Sequence, residues 1–233
     1  KEGMAVVDTQ FPAQAGHLIE EIKKKSDRQI DILINTHHHG DHSAGNIAFK
    51  GLIRNHFAHE NAVKNMKARA QRSNSMDKVL LPTAHFGESF KFSVAGEHIA
   101  MKYLGRAHTD GDAIVHFENA NVAHMGDLMF NRRVPFIDKS TNARIDNWQN
   151  VLNKAHDLFD DDTMVVFGHS GNGYEVTGTR ADLKAFANYL GKLLDYVDKG
   201  VKAGKTKEAL AAAESIPGAE QWKGKQNRAE KAD

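Results

Sequence analysis

The run His37-His38-His39-Gly40-Asp41-His42 follows directly on the apolar, β-branched stretch Ile30-Asp31-Ile32-Leu33-Ile34, and this junction constrains the fold more than any other feature. In an extended or irregular segment, residues two apart point the same way, so His37 and His39 can share one metal while His38 turns aside. A helix would not present that pair together, because metal-binding histidines on a helix need a spacing of three or four. The chain must therefore end a strand in a polar loop, with Asp41 and His42 just beyond and available to a second metal. Catalytic zinc typically keeps three protein ligands and an open position, so each pair needs help from elsewhere. For the first metal the candidate is His108, in Gly105-Arg106-Ala107-His108-Thr109; for the second it is His169, which follows Met164-Val165-Val166-Phe167. Asp127, in Gly126-Asp127, could bridge both ions.

The composition favours this ligand chemistry by elimination. There are no cysteines among the 233 residues, which removes disulfides, thiolate metal sites and cysteine nucleophiles, and there are 14 histidines. Lys and Arg total 31 against 30 Asp and Glu, so no strong field recruits nucleic acid or an anionic membrane, and a small-molecule substrate is the expected partner. Oligomeric state is not readable. No apolar run is long enough to cross a bilayer and no leader pattern is present. Because the sequence starts at Lys1 rather than Met, removal of a leader ahead of it is compatible with a periplasmic or secreted location, with the cytoplasm as the alternative.

Along the chain, Met4 to Val7 reads as a short strand, and Ala15, Leu18, Ile19 and Ile22 recur at helical spacing before the strand Ile30 to Ile34. The next helical pattern, around Val63, Met66 and Ala70, lies beyond a loop of mixed character. Strand patterns follow at Phe90 to Phe92, Ile99 to Tyr103, Ile114 to Phe117 and Val122 to Met125, the last two joined as a hairpin. Trp148, Val151, Leu152, Ala155 and Phe159 mark a helix with Asp146 as its expected cap, and a long helix is expected from Ala181 to Val197. A short helical segment surrounds Ala209, and a frayed end is expected from Lys223 onward. Alternating strands and helices imply an α/β layered domain, with the polar groups of interest at the strand ends Thr36, Asp127 and Gly168. Residues 1–178 are expected to form the catalytic domain and 179–233 a helical extension packed on it.

The segment Thr36-His37-His38-His39-Gly40-Asp41-His42-Ser43-Ala44-Gly45 resembles the T-H-x-H-x-D-H-x-x-G signature of the metallo-β-lactamase superfamily and matches it at every specified position. Further elements of that family occur in order as Val7-Asp8-Thr9, Ala107-His108-Thr109, Gly126-Asp127 and Gly168-His169-Ser170-Gly171, so the resemblance spans roughly residues 4 to 171. It implies a four-layered αβ/βα fold and a dinuclear zinc site, with His37, His39 and His108 on one ion, Asp41, His42 and His169 on the other, and Asp127 between them. Family members begin with additional strands before the V-D-T segment, whereas three residues precede Met4 here. Either N-terminal strands are lacking from the sequence given or the first sheet is short. Asp127 stands where one β-lactamase subclass has cysteine, which makes the site similar to those of the glyoxalase II, lactonase and phosphodiesterase branches. The stretches from His108 to Asp112, His124 to Asp127 and Pro135 to Asp138 resemble a group of bacterial, often exported members.

The resemblance implies a zinc-dependent hydrolase in which a metal-bridging hydroxide cleaves acyl bonds of small molecules (a β-lactam, lactone or thioester), with Asp41 orienting that hydroxide and moving its proton. Phosphodiester hydrolysis is the alternative, and iron-based redox chemistry a third reading, disfavoured because di-iron members carry Glu where His39 stands. Arg132 and Arg133, close after Asp127, are candidates for holding a substrate anion. Asp8 is expected to brace the metal loop rather than bind metal, and His38, His85, His116 and His124 to be packing or surface residues.

Overall fold

The computed structural model describes residues 3–223, and its first half grows from parallel strands separated by helices. Strand β1 (Ala5–Val7) leads to helix α1 (Pro12–Lys25) and strand β2 (Ile30–Ile34). Pro12 opens α1, where its fixed φ suits a helix start and its missing N–H is not needed. Lys23, Lys24 and Lys25 close it, on the negative end of the helix dipole. A single helical turn, α2 (Gly40–Ser43), and a 3-10 turn precede strand β3 (Ile53–His59), helix α3 (Glu60–Arg72) and strand β4 (Ala84–Phe86). The four strands are parallel in the order β1-β2-β3-β4. Strand β3 occupies the stretch expected as a loop before the Val63 helix, and β4 a stretch to which the sequence pattern assigns no element.

The second half contributes β5 (Ser89–Val94), β6 (Glu97–Lys102), β7 (Ile114–Phe117), β8 (Val122–His124), β9 (Phe130–Asn131), α4 (Ile145–Leu158), β10 (Met164–Val166), β11 (His169–Ser170), β12 (Thr177–Gly178), α5 (Arg180–Lys202) and α6 (Lys207–Ala211). Six of these strands form a sheet in the order β12-β10-β8-β7-β6-β5, and β9 pairs with β11. The expected β7–β8 hairpin forms, with Val115 opposite His124. Strands β8 and β10 are parallel, joined by the crossover that contains α4. Asp146 is not the cap of α4: Arg144 occupies that position, and its guanidinium grips Asp146 in the first turn. Helix α5 starts at a capping box between Thr179 and Asp182 and runs on past Val197 to Lys202.

Three apolar clusters make four layers of these elements. On β2, Leu33 faces Ala15 and Ile19 of α1, while Ile32 and Ile34 face Ile99, Met101 and Val115 of the second sheet. On β7, Val115 joins that middle core while Ile114 packs with Trp148, Val151 and Leu152 of α4 and Leu183, Phe186 and Leu190 of α5. The period-two alternation of both strands thus buries each sheet on two faces, giving helix, sheet, sheet and helix in turn. The expected four-layered αβ/βα arrangement is present. Of the frayed end expected from Lys223 onward, residues 224–233 lie outside the described residues.

Candidate metal centre

The C-terminal ends of β2, β8 and β10 open on one side of the two sheets, and the loops leaving them bring the polar side chains together. Past Ile34, Thr36 is fixed by Asp8, whose carboxylate accepts the Thr36 backbone N–H at 2.8 Å through Oδ1 and its hydroxyl at 2.7 Å through Oδ2. Asp8 holds a left-handed φ of +59°, a conformation that Asp tolerates better than most residues. The same Oδ2 lies 2.7 Å from His42 Nδ1, so one carboxylate ties both ends of the histidine loop, as expected of a brace. Beneath, Asn35 Nδ2 and the Thr9 backbone N–H donate to the His42 carbonyl, and Asn46 and His56 complete a buried network around the Asn35 side chain.

His37, His39, His108 and Asp127 each bring one ligand atom to a common point, all within 4.8 Å of one another. His39 Nδ1 lies 3.0 Å from His37 Nε2 and 2.9 Å from His108 Nε2. A tetrahedral zinc with Zn–N of about 2.0–2.1 Å would set such atoms about 3.3 Å apart, so His39 Nδ1 need separate from each of its two neighbours by only a few tenths of an ångström. The opposite ring nitrogens are each engaged: His37 Nδ1 by Thr36 Oγ1, His39 Nε2 by Asp138 Oδ2 at 2.9 Å, and His108 Nδ1 by the Phe136 carbonyl at 2.9 Å. Those partners fix the tautomer that turns the remaining nitrogen toward a metal. Burial, reinforced by neighbouring imidazoles, pushes the pKa of His37 well down, and burial takes that of His108 to about 4, leaving both neutral as metal ligation requires.

Asp41, His42 and His169 form a second set, whose ligand atoms likewise lie within 4.8 Å of one another. His169 Nε2 is 3.2 Å from Asp41 Oδ2, and their hydrogen bond holds the Asp41 carboxyl at about 2. Burial opposes protonation of His42 and His169, but the carboxylates around them outweigh it and raise both, His169 to about 9. Asp127 stands between the sets. Its Oδ2 is 3.3 Å from His108 and 3.4 Å from His169, and its Oδ1 is 3.0 Å from His42 Nε2. That last pair faces at hydrogen-bond distance without hydrogen-bond geometry, and both atoms are buried with no other partner, as expected of atoms aimed at a shared cation rather than at each other. Around the two sets, Asp8, Asp41, Asp127 and Asp138 supply four carboxylates, enough to balance two divalent ions.

Close backbone packing positions Asp127. Gly126 has φ +51°, and a Cβ there would meet Thr36 Oγ1 at 2.5 Å; a Cβ on Gly168 would lie 2.1 Å from Asp127 Oδ1. Just after His108, buried Asp112 accepts the Thr109 N–H at 2.7 Å and its hydroxyl at 2.6 Å, holding the loop that carries His108.

His39, Asp41, Asp127 and His169 border a cleft of about 480 Å³ whose far wall is Arg133, Val134, Pro135 and Phe136. Of the two arginines considered for substrate, Arg133 lines this cleft. Arg132 does not: its guanidinium lies 4.6 Å over the Trp222 ring and 3.9 Å from Asp182, because a left-handed φ of +54° turns the chain there. His85 is exposed, His116 packs edge-on against Phe159, and His124 Nδ1 accepts the Gly126 N–H. His38 is buried beside the first set, its Nε2 3.5 Å from Asp138. Asp138, which also accepts the Ser140 N–H and hydroxyl and the Thr141 hydroxyl, is the site residue that sequence reading missed. Its only signal is the short stretch from Pro135 to Asp138, with nothing to tie it to His39.

A family model described as the metallo-beta-lactamase superfamily matches residues 1–169. Among solved structures, a metallo-beta-lactamase from Pontibacter korlensis superposes with a TM-score of 0.67 at 18% identity, covering 82% of this chain and 83% of that one. Another, from Hirschia baltica, gives 0.64 at 20% identity, covering 82% of each chain. No curated protein matches the chain.

Proposed function

The chain belongs to the metallo-β-lactamase superfamily and is a metal-dependent hydrolase, and from that premise we propose that it holds two zinc ions and cleaves acyl bonds in small anionic molecules. The observation that carries the reading is the position of Asp127, one carboxylate within 3.4 Å of His108 and His169 and 3.0 Å of His42. In this reading His37, His39 and His108 would hold one ion and Asp41, His42 and His169 the other, with the Asp127 carboxylate available to both. The nitrogen and carboxylate donor set suits zinc. Bound zinc supplies Lewis acidity and lowers the pKa of a water from about 15.7 toward about 7.

The chain's own groups do the rest. Asp41, the more exposed carboxylate of the two sets and ionised at neutral pH, faces the cleft, where its carboxylate would orient the attacking water and take up its proton. Arg133 offers a guanidinium to a substrate carboxylate, and Val134, Pro135 and Phe136 receive an apolar arm beside it. An open cleft of about 480 Å³ suits a small molecule better than a polymer. The relatives of this fold named as metallo-beta-lactamases make a β-lactam the first compound to try.

The test is kcat/KM of the zinc-loaded protein on a chromogenic cephalosporin, a lactone, a thioester and bis-p-nitrophenyl phosphate, with His39→Ala as the blank. Acyl substrates are expected to lead. A tenfold or greater preference for the phosphodiester, about 1.4 kcal/mol at the transition state, overturns the acyl reading in favour of a phosphodiesterase. Two iron atoms in place of zinc in protein purified without added metal would point to redox chemistry instead.

A further inference from the structure

The far wall of the cleft is not self-supporting. Residues 132–136 have no helix or sheet of their own beyond Asn131, and they begin at a non-glycine residue in a left-handed conformation, Arg132. Such a backbone persists only where its surroundings hold it. What meets it is a segment from the end of the described chain. Lys223 forms an isolated parallel bridge with Arg133: the Val134 N–H donates to the Lys223 carbonyl at 3.0 Å, and the Lys223 N–H approaches the Arg132 carbonyl at 3.5 Å.

The adjoining Trp222 is 4% exposed and lies between two partners. On one side its ring stacks on Tyr189 of α5, centroids 4.9 Å apart and planes 12° from parallel; on the other it lies 4.6 Å beneath the Arg132 guanidinium. Lys192 of α5 donates to the Gly218 carbonyl, securing the approach to this segment. Gripping Arg132 on the outer face leaves the next residue, Arg133, on the inner face, bordering the cleft. The stretch ends at Phe136, whose carbonyl accepts from His108.

We propose that Trp222 and the Lys223 backbone are a latch that positions the cleft wall, making Trp222 a positioning residue for substrate recognition by Arg133. Trp222 touches neither metal set. It acts through Arg132 and Val134, and its loss lets the 132–136 stretch relax from its turn, so that Arg133 no longer points steadily at the substrate. The role of Arg133 rests on the acyl-hydrolase reading above; the mechanical latch does not.

The experiment therefore has two arms on the full chain, loaded with zinc. In the first, amide hydrogen exchange at Val134 is compared in wild type, Trp222→Ala, Trp222→Phe and Arg132→Ala. Exchange is expected to speed up by about tenfold or more in Trp222→Ala and, less strongly, in Arg132→Ala, and to stay near wild type in Trp222→Phe, which keeps the stack. In the second, the chromogenic cephalosporin is expected to show KM raised by about threefold to tenfold in Trp222→Ala with kcat within about twofold, an effect that vanishes when Arg133→Ala is already present. Unchanged exchange at Val134 in both Trp222→Ala and Arg132→Ala overturns the latch. Faster exchange with unchanged KM overturns its link to Arg133. If the wild type turns over no compound of the panel, the acyl reading fails and the exchange arm alone decides the latch. Should Trp222→Ala not fold, Arg132→Ala, which removes the stack from its more exposed side, carries both arms.

Discussion

Asp138 and His39, 99 residues apart in sequence, meet at 2.9 Å between Oδ2 and Nε2. The carboxylate is itself gripped by Ser140 and Thr141, so it holds the His39 ring in one orientation and turns Nδ1 toward His37 and His108. Asp138→Asn keeps the size but loses the negative charge. It is expected to weaken metal binding at the first set by roughly 10- to 100-fold, measured by chelator competition, with the thermal unfolding of the metal-free protein little changed. Unaltered affinity would mean that Asp138 serves only its own turn.

Gly168 has no room for a side chain. Its Cβ would fall 2.1 Å from Asp127 Oδ1 and 2.6 Å from Gly126 backbone atoms, so Gly168→Ala must push Asp127 away from His42 and His108. The expected result is zinc content falling toward one ion per chain, by elemental analysis, with far-UV circular dichroism preserved. Asp127→Ala should do the same from the other direction, since its loss leaves two dications without the carboxylate between them. Full metal content in both variants would make Asp127 a structural residue.

Metal removal should be legible in stability. An ion that binds only the folded chain at about 1,000 times its Kd contributes about 4 kcal/mol, and for a domain of this size each kcal/mol moves Tm by about 2–4 °C. Chelation is therefore expected to lower Tm by on the order of 10 °C, recovered on adding zinc. No change on chelation would remove the ions from the folding equilibrium.

His56 gives a pH dependence separable from the metals. Burial pushes its pKa down to about 4, and its Nε2 donates to Asn35 Oδ1 at 2.7 Å. Between the unfolded value near 6.5 and about 4, the unfolded chain binds the extra proton and the native chain does not, so stability is complete above that window and declines as pH falls through it. The full loss amounts to about 3 kcal/mol. In EDTA, urea unfolding of His56→Gln should lose that much less than wild type between pH 7 and pH 4. Parallel declines in the two proteins would show that His56 does not titrate in this way.

How much of this was legible in sequence depended on whether the signal was local. Ile30 to Ile34 and the spacing of His37, His39, Asp41 and His42 are local, and each strand end expected to carry a polar group does so. Strand β3 escaped notice because Arg54, Asn55 and His56 break its apolar alternation: His56 points inward to a polar network instead of to the core. Strand β4 is only three residues long. Asp146 reads as a cap because acidic residues favour helix starts, but the helix begins two residues earlier than that reading allows, and Asp146 serves Arg144 instead. Arg132 and Arg133 are indistinguishable by type. A single backbone torsion separates them, and no sequence pattern announces it.

The bridge between Arg133 and Lys223 also sets an order of events during synthesis. A ribosome delivers the chain from its N-terminus, so every candidate metal ligand, His37 through His169, emerges well before Lys223 does. On a nascent chain the wall that faces both ligand sets therefore stays unlatched until Lys223 has emerged. The candidate ligands need nothing from Lys223, whereas the bridge on the wall that faces them does.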